Sequence, residues 1–161
     1  MSASTAFDAW VSAMQSRLLR YAYLLCADRE EARDVVQDVL SRMFSRFDQL
    51  HGDGGIDAYA TRSVTNEVIS RRRRQQLETV ALTREPAMQS ATEKVPDRVV
   101  AWDLCTELPM PQRAAVVLRF YEDLDFARIG ELLDMPEATA RSHVHRALVA
   151  LRERLDQEDH R

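Results

Sequence analysis

From Ala32 to Phe47 the apolar residues of this chain recur every three or four positions, as Ala32, Val35 with Val36, Val39 with Leu40, Met43 with Phe44, and Phe47. A 3.6-residue period gathers such positions on one face of a helix, whereas a strand would divide them between two faces. Asp28 and Glu31 stand ahead of the run in capping-box spacing, so a helix is expected over 28–50. Residues 5–26 carry the same pattern through Phe7, Val11, Met14, Leu18, Tyr21 and Leu25, with Thr5 expected as N-cap and Asp8 in the first turn. A chain that opens on two such helices and spends three of its four glycines on one segment, 51–57, reads as all-α.

Beyond that glycine break a third helix is expected over 57–74, with Ala60, Val64 and Val68 inward and Arg62, Asn66 and the run Arg71, Arg72, Arg73 and Arg74 facing elsewhere. Periodicity weakens from 76 to 96, where prolines and polar residues gather, and this segment reads as a flexible linker; a short helix at 77–84 is the alternative. Helical patterning returns at 97. Val100, Leu104 and Leu108 share one face, and a helix with Pro111 in its first turn presents Val117, Leu118, Tyr121 and Leu124. Two further helices, 125–134 and 136–155, leave room between them only for a turn, and 156–161 reads as a solvated tail. The expected architecture is therefore two small helical domains, 5–75 and 97–155, joined by the linker.

Composition narrows the function by exclusion. No stretch approaches the roughly 20 apolar residues that span a bilayer, and the first ten residues lack the charged and apolar regions of a signal peptide, so a cytoplasmic location without membrane insertion is expected. Cys26 and Cys105 sit within apolar helical patterns away from other ligand types; both read as buried free thiols, and no metal or cofactor is expected. His51, His143, His145 and His160 have no nucleophile set in catalytic spacing, which argues against an enzyme.

Charge is more informative by segment than in sum. The formal net charge is -4, yet 58–74 sets Arg62 and Arg71 to Arg74 against Glu67 alone. The segment 136–155 sets Arg141, Arg146, Arg152 and Arg154 against Glu137 and Glu153. Two basic islands on an acidic body suit nucleic acid together with a second kind of partner. The second island lies on the later of the two closely joined helices, the arrangement of a helix-turn-helix. Ala140, Val144, Ala147, Leu148, Leu151 and Leu155 are expected inward; Thr139, Arg141, Ser142, His143, His145 and Arg146 are expected outward, at the end such a motif inserts into the major groove.

The stretch 107–155 resembles region four of the extracytoplasmic-function sigma factors, the small bacterial sigma-70 relatives. The likeness rests on Leu-Pro-x-x-x-Arg at 108–113, Tyr-Glu-Asp-Leu at 121–124 and Thr-x-Arg-Ser-x-x-x-Arg-Ala-Leu at 139–148. Residues 30–47, with Asp-x-x-Gln-Asp-Val at their centre, resemble the region-two helix, and 58–74 resemble the adjoining promoter-melting helix of the actinobacterial type. The sequence departs from the family at Tyr59-Ala60, where Trp-Leu is common, and at Ser70, where aspartate is frequent. It departs again at Asp134 for the turn glycine, Pro136 for the serine cap and His143 for a basic residue. Asp134 tolerates the left-handed backbone and Pro136 suits a helix start, so the turn is expected to be kept.

The resemblance implies roles. Asp34, Gln37, Asp38 and Arg42 would meet the β′ clamp of core RNA polymerase, and 97–155 would meet the β flap. Tyr59, Arg62, Asn66 and Arg71 to Arg74 would serve the minus-ten element, with a flipped base held by the 51–56 loop; the α-helical island at 139–146 would read the minus-thirty-five element. Two or three of the four consecutive arginines are expected on the promoter backbone and at least one paired within the protein. An anti-sigma factor is a further implied partner, and a monomer is expected when free. The alternative is a dimeric helix-turn-helix transcriptional regulator.

Overall fold

A computed structural model describes residues 2–50, 55–79 and 100–161, which form two compact units, each taken by itself below. Every regular element among the described residues is a helix.

The first unit packs α1 (Ala3–Cys26), α2 (Arg29–Phe44) and α3 (Gly55–Thr79), with a 3-10 turn at Phe47–Gln49. Its interior is Leu18, Tyr21, Leu24 and Leu25 from α1, Val35, Val36, Val39 and Met43 from α2, and Ala60, Val64 and Val68 from α3. The apolar stripes expected for all three helices thus meet as one core. A polar pair lies inside it: Thr65 Oγ1 donates to Thr61 O at 2.9 Å, leaving the Tyr21 hydroxyl to donate to Thr65 Oγ1 at 2.5 Å. Burying both hydroxyls together satisfies groups that would each be costly alone.

Several helix ends differ from expectation for local reasons. Ser2, not Thr5, caps α1, its hydroxyl accepting from the Thr5 N–H at 3.4 Å. Asp28 caps α2 as expected, accepting from the N–H groups of Glu30 and Glu31, but Glu31 turns away from the box toward α3. The second helix stops at Phe44 rather than running to 50. The 3-10 turn then rotates Phe47 inward against Phe7, ring centroids 5.2 Å apart, and Phe44 stays 54% exposed although the periodicity placed it in the core. The third helix continues past Arg74 through Thr79, four residues into the segment expected as linker. Residues 51–54 and 80–99 lie outside the described residues, and with them most of the glycine loop, the rest of the linker and the start of the helix expected from 97.

The second unit comprises α4 (Val100–Cys105), α5 (Met110–Phe120), α6 (Phe126–Leu133) and α7 (Glu137–Asp159). Leu104 and Leu108 are buried as expected, as are Val117 and Leu118. Ala115, Leu118, Ile129, Ala140 and Val144 form the cluster on which α6 and α7 rest, with Leu124, Phe126 and Leu148 packed against it. Leu155, expected inward, is 36% exposed. The last helix runs to Asp159 because nothing in 156–159 breaks it, so most of the expected tail is helical. Cys26 and Cys105 are buried free thiols, and burial pushes the Cys105 thiol up to about 11, far from reactive thiolate.

Candidate nucleic-acid interface

The turn between α6 and α7 sets the orientation of the second basic island. Asp125 caps α6 by accepting from the Arg128 N–H at 2.8 Å, and Asp134 ends it in the left-handed conformation, φ 56, as expected of a residue standing in for glycine. The N–H of Met135 then returns to Gly130 O at 2.9 Å. A Cβ on Gly130 would stand 2.6 Å from Met135 O, so only glycine lets the chain fold back this tightly. Pro136 precedes α7 with φ -60 and no side-chain cap, leaving the first N–H groups of that helix open.

Thr139, Arg141, Ser142, His145 and Arg146 are exposed along the N-terminal half of α7. Arg141 is held rather than loose: its guanidinium carbon lies 5.0 Å from the Phe126 ring centroid, and its Nη2 lies 3.4 Å from Glu137 Oε1. The Arg119 guanidinium lies 5.0 Å from the same ring and donates to Leu124 O at 3.0 Å. Phe126 therefore ties α7 to α5 through two cations.

His143 departs from expectation. It is half-buried rather than outward, and its Nδ1 is buried without a hydrogen-bond partner. Burial, with the Arg146 charge beside it, holds its pKa below the ordinary value of 6.5. On the Val144 side of α7 a neutral imidazole suits the packing, and a charged one would not.

On α3, Arg62 and Asn66 are exposed and Tyr59 is half-buried. Tyr59 and Asn66 line a pocket of about 280 Å³ between α2 and α3, shared with Ser63, Ser70, Arg42 and Arg46. The four arginines do not behave alike. Arg71 Nε donates to Glu67 Oε1 at 3.0 Å, and its Nη2 reaches the Asp38 carboxylate. Arg72 Nη2 donates to Cys26 O at 2.7 Å and to Glu31 Oε2 at 3.1 Å. Arg74 is exposed, 3.6 Å from Glu67 Oε1, and Arg73 is exposed too. Arg71 and Arg72 are thus both internal braces, with 21% and 26% of their side chains exposed, while Arg73 and Arg74 are the exposed members of the run.

Asp34, Gln37, Asp38 and Arg42 form one exposed face of α2. Two of them are tied to α3: Asp38 to Arg71, and Arg42 Nη2 to Glu67 Oε2 at 3.0 Å. Burial opposes ionisation of Glu67, but hydrogen bonds from Arg71 and Arg42 and their charges outweigh it and hold the carboxyl below its usual range. Glu67 is the residue sequence reasoning passed over. Its spacing of four from Arg71, as the lone acid of a basic segment, was the available signal.

Two family models match the chain, Sigma-70 region 2 over residues 10–78 and Sigma-70, region 4 over residues 101–151. An RNA polymerase sigma-E factor of Streptomyces coelicolor is 34% identical over 151 residues, covering 92% of this chain and 85% of that protein. The ECF RNA polymerase sigma factor SigW of Bacillus subtilis is 27% identical, covering 93% of this chain and 89% of that one. Among solved structures, the sigma factor RpoE in complex with the anti-sigma factor NepR from Bartonella quintana shares the fold with a TM-score of 0.63. Its sequence identity is 21%, over 94% of this chain and 97% of that chain.

Proposed function

The chain belongs to the extracytoplasmic-function sigma factors of the sigma-70 family, of the type found in actinobacteria, and from that premise we propose how its helices divide the work of transcription initiation. As a sigma factor it binds core RNA polymerase and directs it to promoter DNA. The exposed face of α2, Asp34 with Gln37, Asp38 and Arg42, docks on the polymerase β′ clamp, and the second unit docks on the β flap. Tyr59, Arg62, Asn66 and, from the arginine run of α3, Arg71, Arg73 and Arg74 hold the minus-ten strand, and Thr139, Arg141, Ser142, His145 and Arg146 meet the minus-thirty-five element in the major groove. His143 supports α7 from behind. The chain works by binding and strand capture rather than by bond-making catalysis, as a cytoplasmic monomer open to an anti-sigma factor.

The observation that carries this reading is the exposed, acid-poor face of α7 set by the Gly130–Asp134 turn, since a recognition helix needs its N-terminal side chains free and its axis fixed. A dimeric regulator is disfavoured because the region-two match occupies 10–78, where such a regulator would carry its dimerisation unit. The test pairs Arg141→Ala with single-base changes across the minus-thirty-five element in polymerase-dependent transcription. Loss of discrimination at one base pair, by about 1–3 kcal/mol, supports direct readout. Uniform weakening at all positions would assign Arg141 to the backbone instead.

A further inference from the structure

Glu67 is the only acid between residues 58 and 74, and α3 places it where three guanidiniums converge. Its Oε1 accepts from Arg71 at 3.0 Å and lies 3.6 Å from Arg74 Nη2, while its Oε2 accepts from Arg42 at 3.0 Å. Arg71 also reaches Asp38, so its fork lies between two carboxylates, as it would between the oxygens of a phosphate. Glu67 is the sheltered member, with 13% of its side chain exposed, whereas Asp38 is 57% and Arg74 66% exposed. One carboxylate therefore connects the α2 face assigned to polymerase with the α3 arginines assigned to DNA.

We propose that Glu67 and Asp38 are an internal stand-in for phosphate, holding Arg71 and Arg74 in the free chain until a partner draws Arg42 aside, takes over both carboxylates with its own cations and so releases those arginines to the DNA backbone. The proposal rests on the division of labour given above. Its physical content is a competition. A guanidinium already neutralised by a carboxylate displaces fewer counterions when DNA arrives, so both affinity and salt slope fall.

The experiment titrates the free full chain onto a labelled random-sequence duplex across a salt series. It compares the wild type with Glu67→Gln, Asp38→Asn and Asp8→Asn, the last an exposed acid on α1 that changes net charge equally. Glu67→Gln and Asp38→Asn are each expected to bind about three- to fivefold tighter at low salt and to steepen the log–log slope by about one. Asp8→Asn should stay within about twofold with an unchanged slope, and adding Arg71→Ala to Glu67→Gln should reverse the gain. In complex with core polymerase, where the arginines are already released, wild type and Glu67→Gln should converge. If neither variant exceeds Asp8→Asn, or if the excess persists undiminished on polymerase, the proposal is overturned. Asp38 is exposed, so Asp38→Asn carries the test should Glu67→Gln perturb folding. Wild-type transcription with core polymerase separates the two claims: if it fails, the division of labour falls; if it succeeds while the slopes stay flat, only the masking falls.

Discussion

Arg72 donates a hydrogen bond of 2.7 Å to the carbonyl oxygen of Cys26, the last residue of α1. A helix end leaves its final carbonyls without intrahelical partners, and here a guanidinium from α3 satisfies one of them while also pairing with Glu31 of α2. One side chain thereby joins all three helices of the first unit. Arg72→Ala is expected to destabilise that unit by about 1–3 kcal/mol, read as a lower urea midpoint, because Glu31 would be left half-buried without its cation. Arg62→Ala, at an exposed position of α3, should leave the midpoint within about 0.5 kcal/mol and act on promoter binding instead. Equal midpoints for the two variants would sink the distinction.

Phe126 holds Arg141 by its ring, so α7 presents a preset cation. Exposed cation–π contacts are worth about 0.5–1 kcal/mol. Phe126→Leu, which keeps the apolar packing, should therefore weaken binding of the polymerase complex to a promoter by about two- to fivefold. The loss should vanish in an Arg141→Ala background; a loss of the same size there would mean that Phe126 acts only through the core.

His143 supplies a pH signature. Its folded pKa lies below the unfolded value of 6.5, so the unfolded chain binds the proton more readily. The stability this site contributes is present above pH 6.5 and is lost as pH falls through 6.5 toward the folded value. Glu122, whose pKa burial raises from 4.5, has the opposite sign: its contribution is present below 4.5 and lost as pH rises through its folded value. Comparing His143→Gln with the wild type cancels that second effect. The wild type should lose stability relative to the variant as pH is lowered through 6.5, and parallel curves would remove His143 from the account.

The helices and their inward faces were legible because burial imposes a period that the sequence carries openly, as Val64 and Val68 or Ala140 and Val144 show. The turn was legible too, since Asp134 is among the few residues other than glycine that accept its backbone. Less could be read where a side chain's partner lies far along the chain. Arg72 meets a carbonyl 46 residues away, and Arg42 meets a carboxylate 25 away, relations that no local period records. The end of α3 was missed for a related reason: residues 75–79 carry no apolar repeat to announce a helix. His143 was misplaced because a histidine next to Val144 fits either side of the boundary between the buried and exposed faces of α7.

The central claim, that this chain works as a polymerase specificity subunit through both of its basic faces, is tested most directly by run-off transcription. Purified core polymerase is given a promoter library with and without the chain. The account predicts product only when the chain is present, abolished by removing Arg141 and Arg146 together and reduced by removing Arg71 and Arg74 together. No chain-dependent product from any promoter, with the chain instead forming a stable dimer on a palindromic duplex, would contradict it.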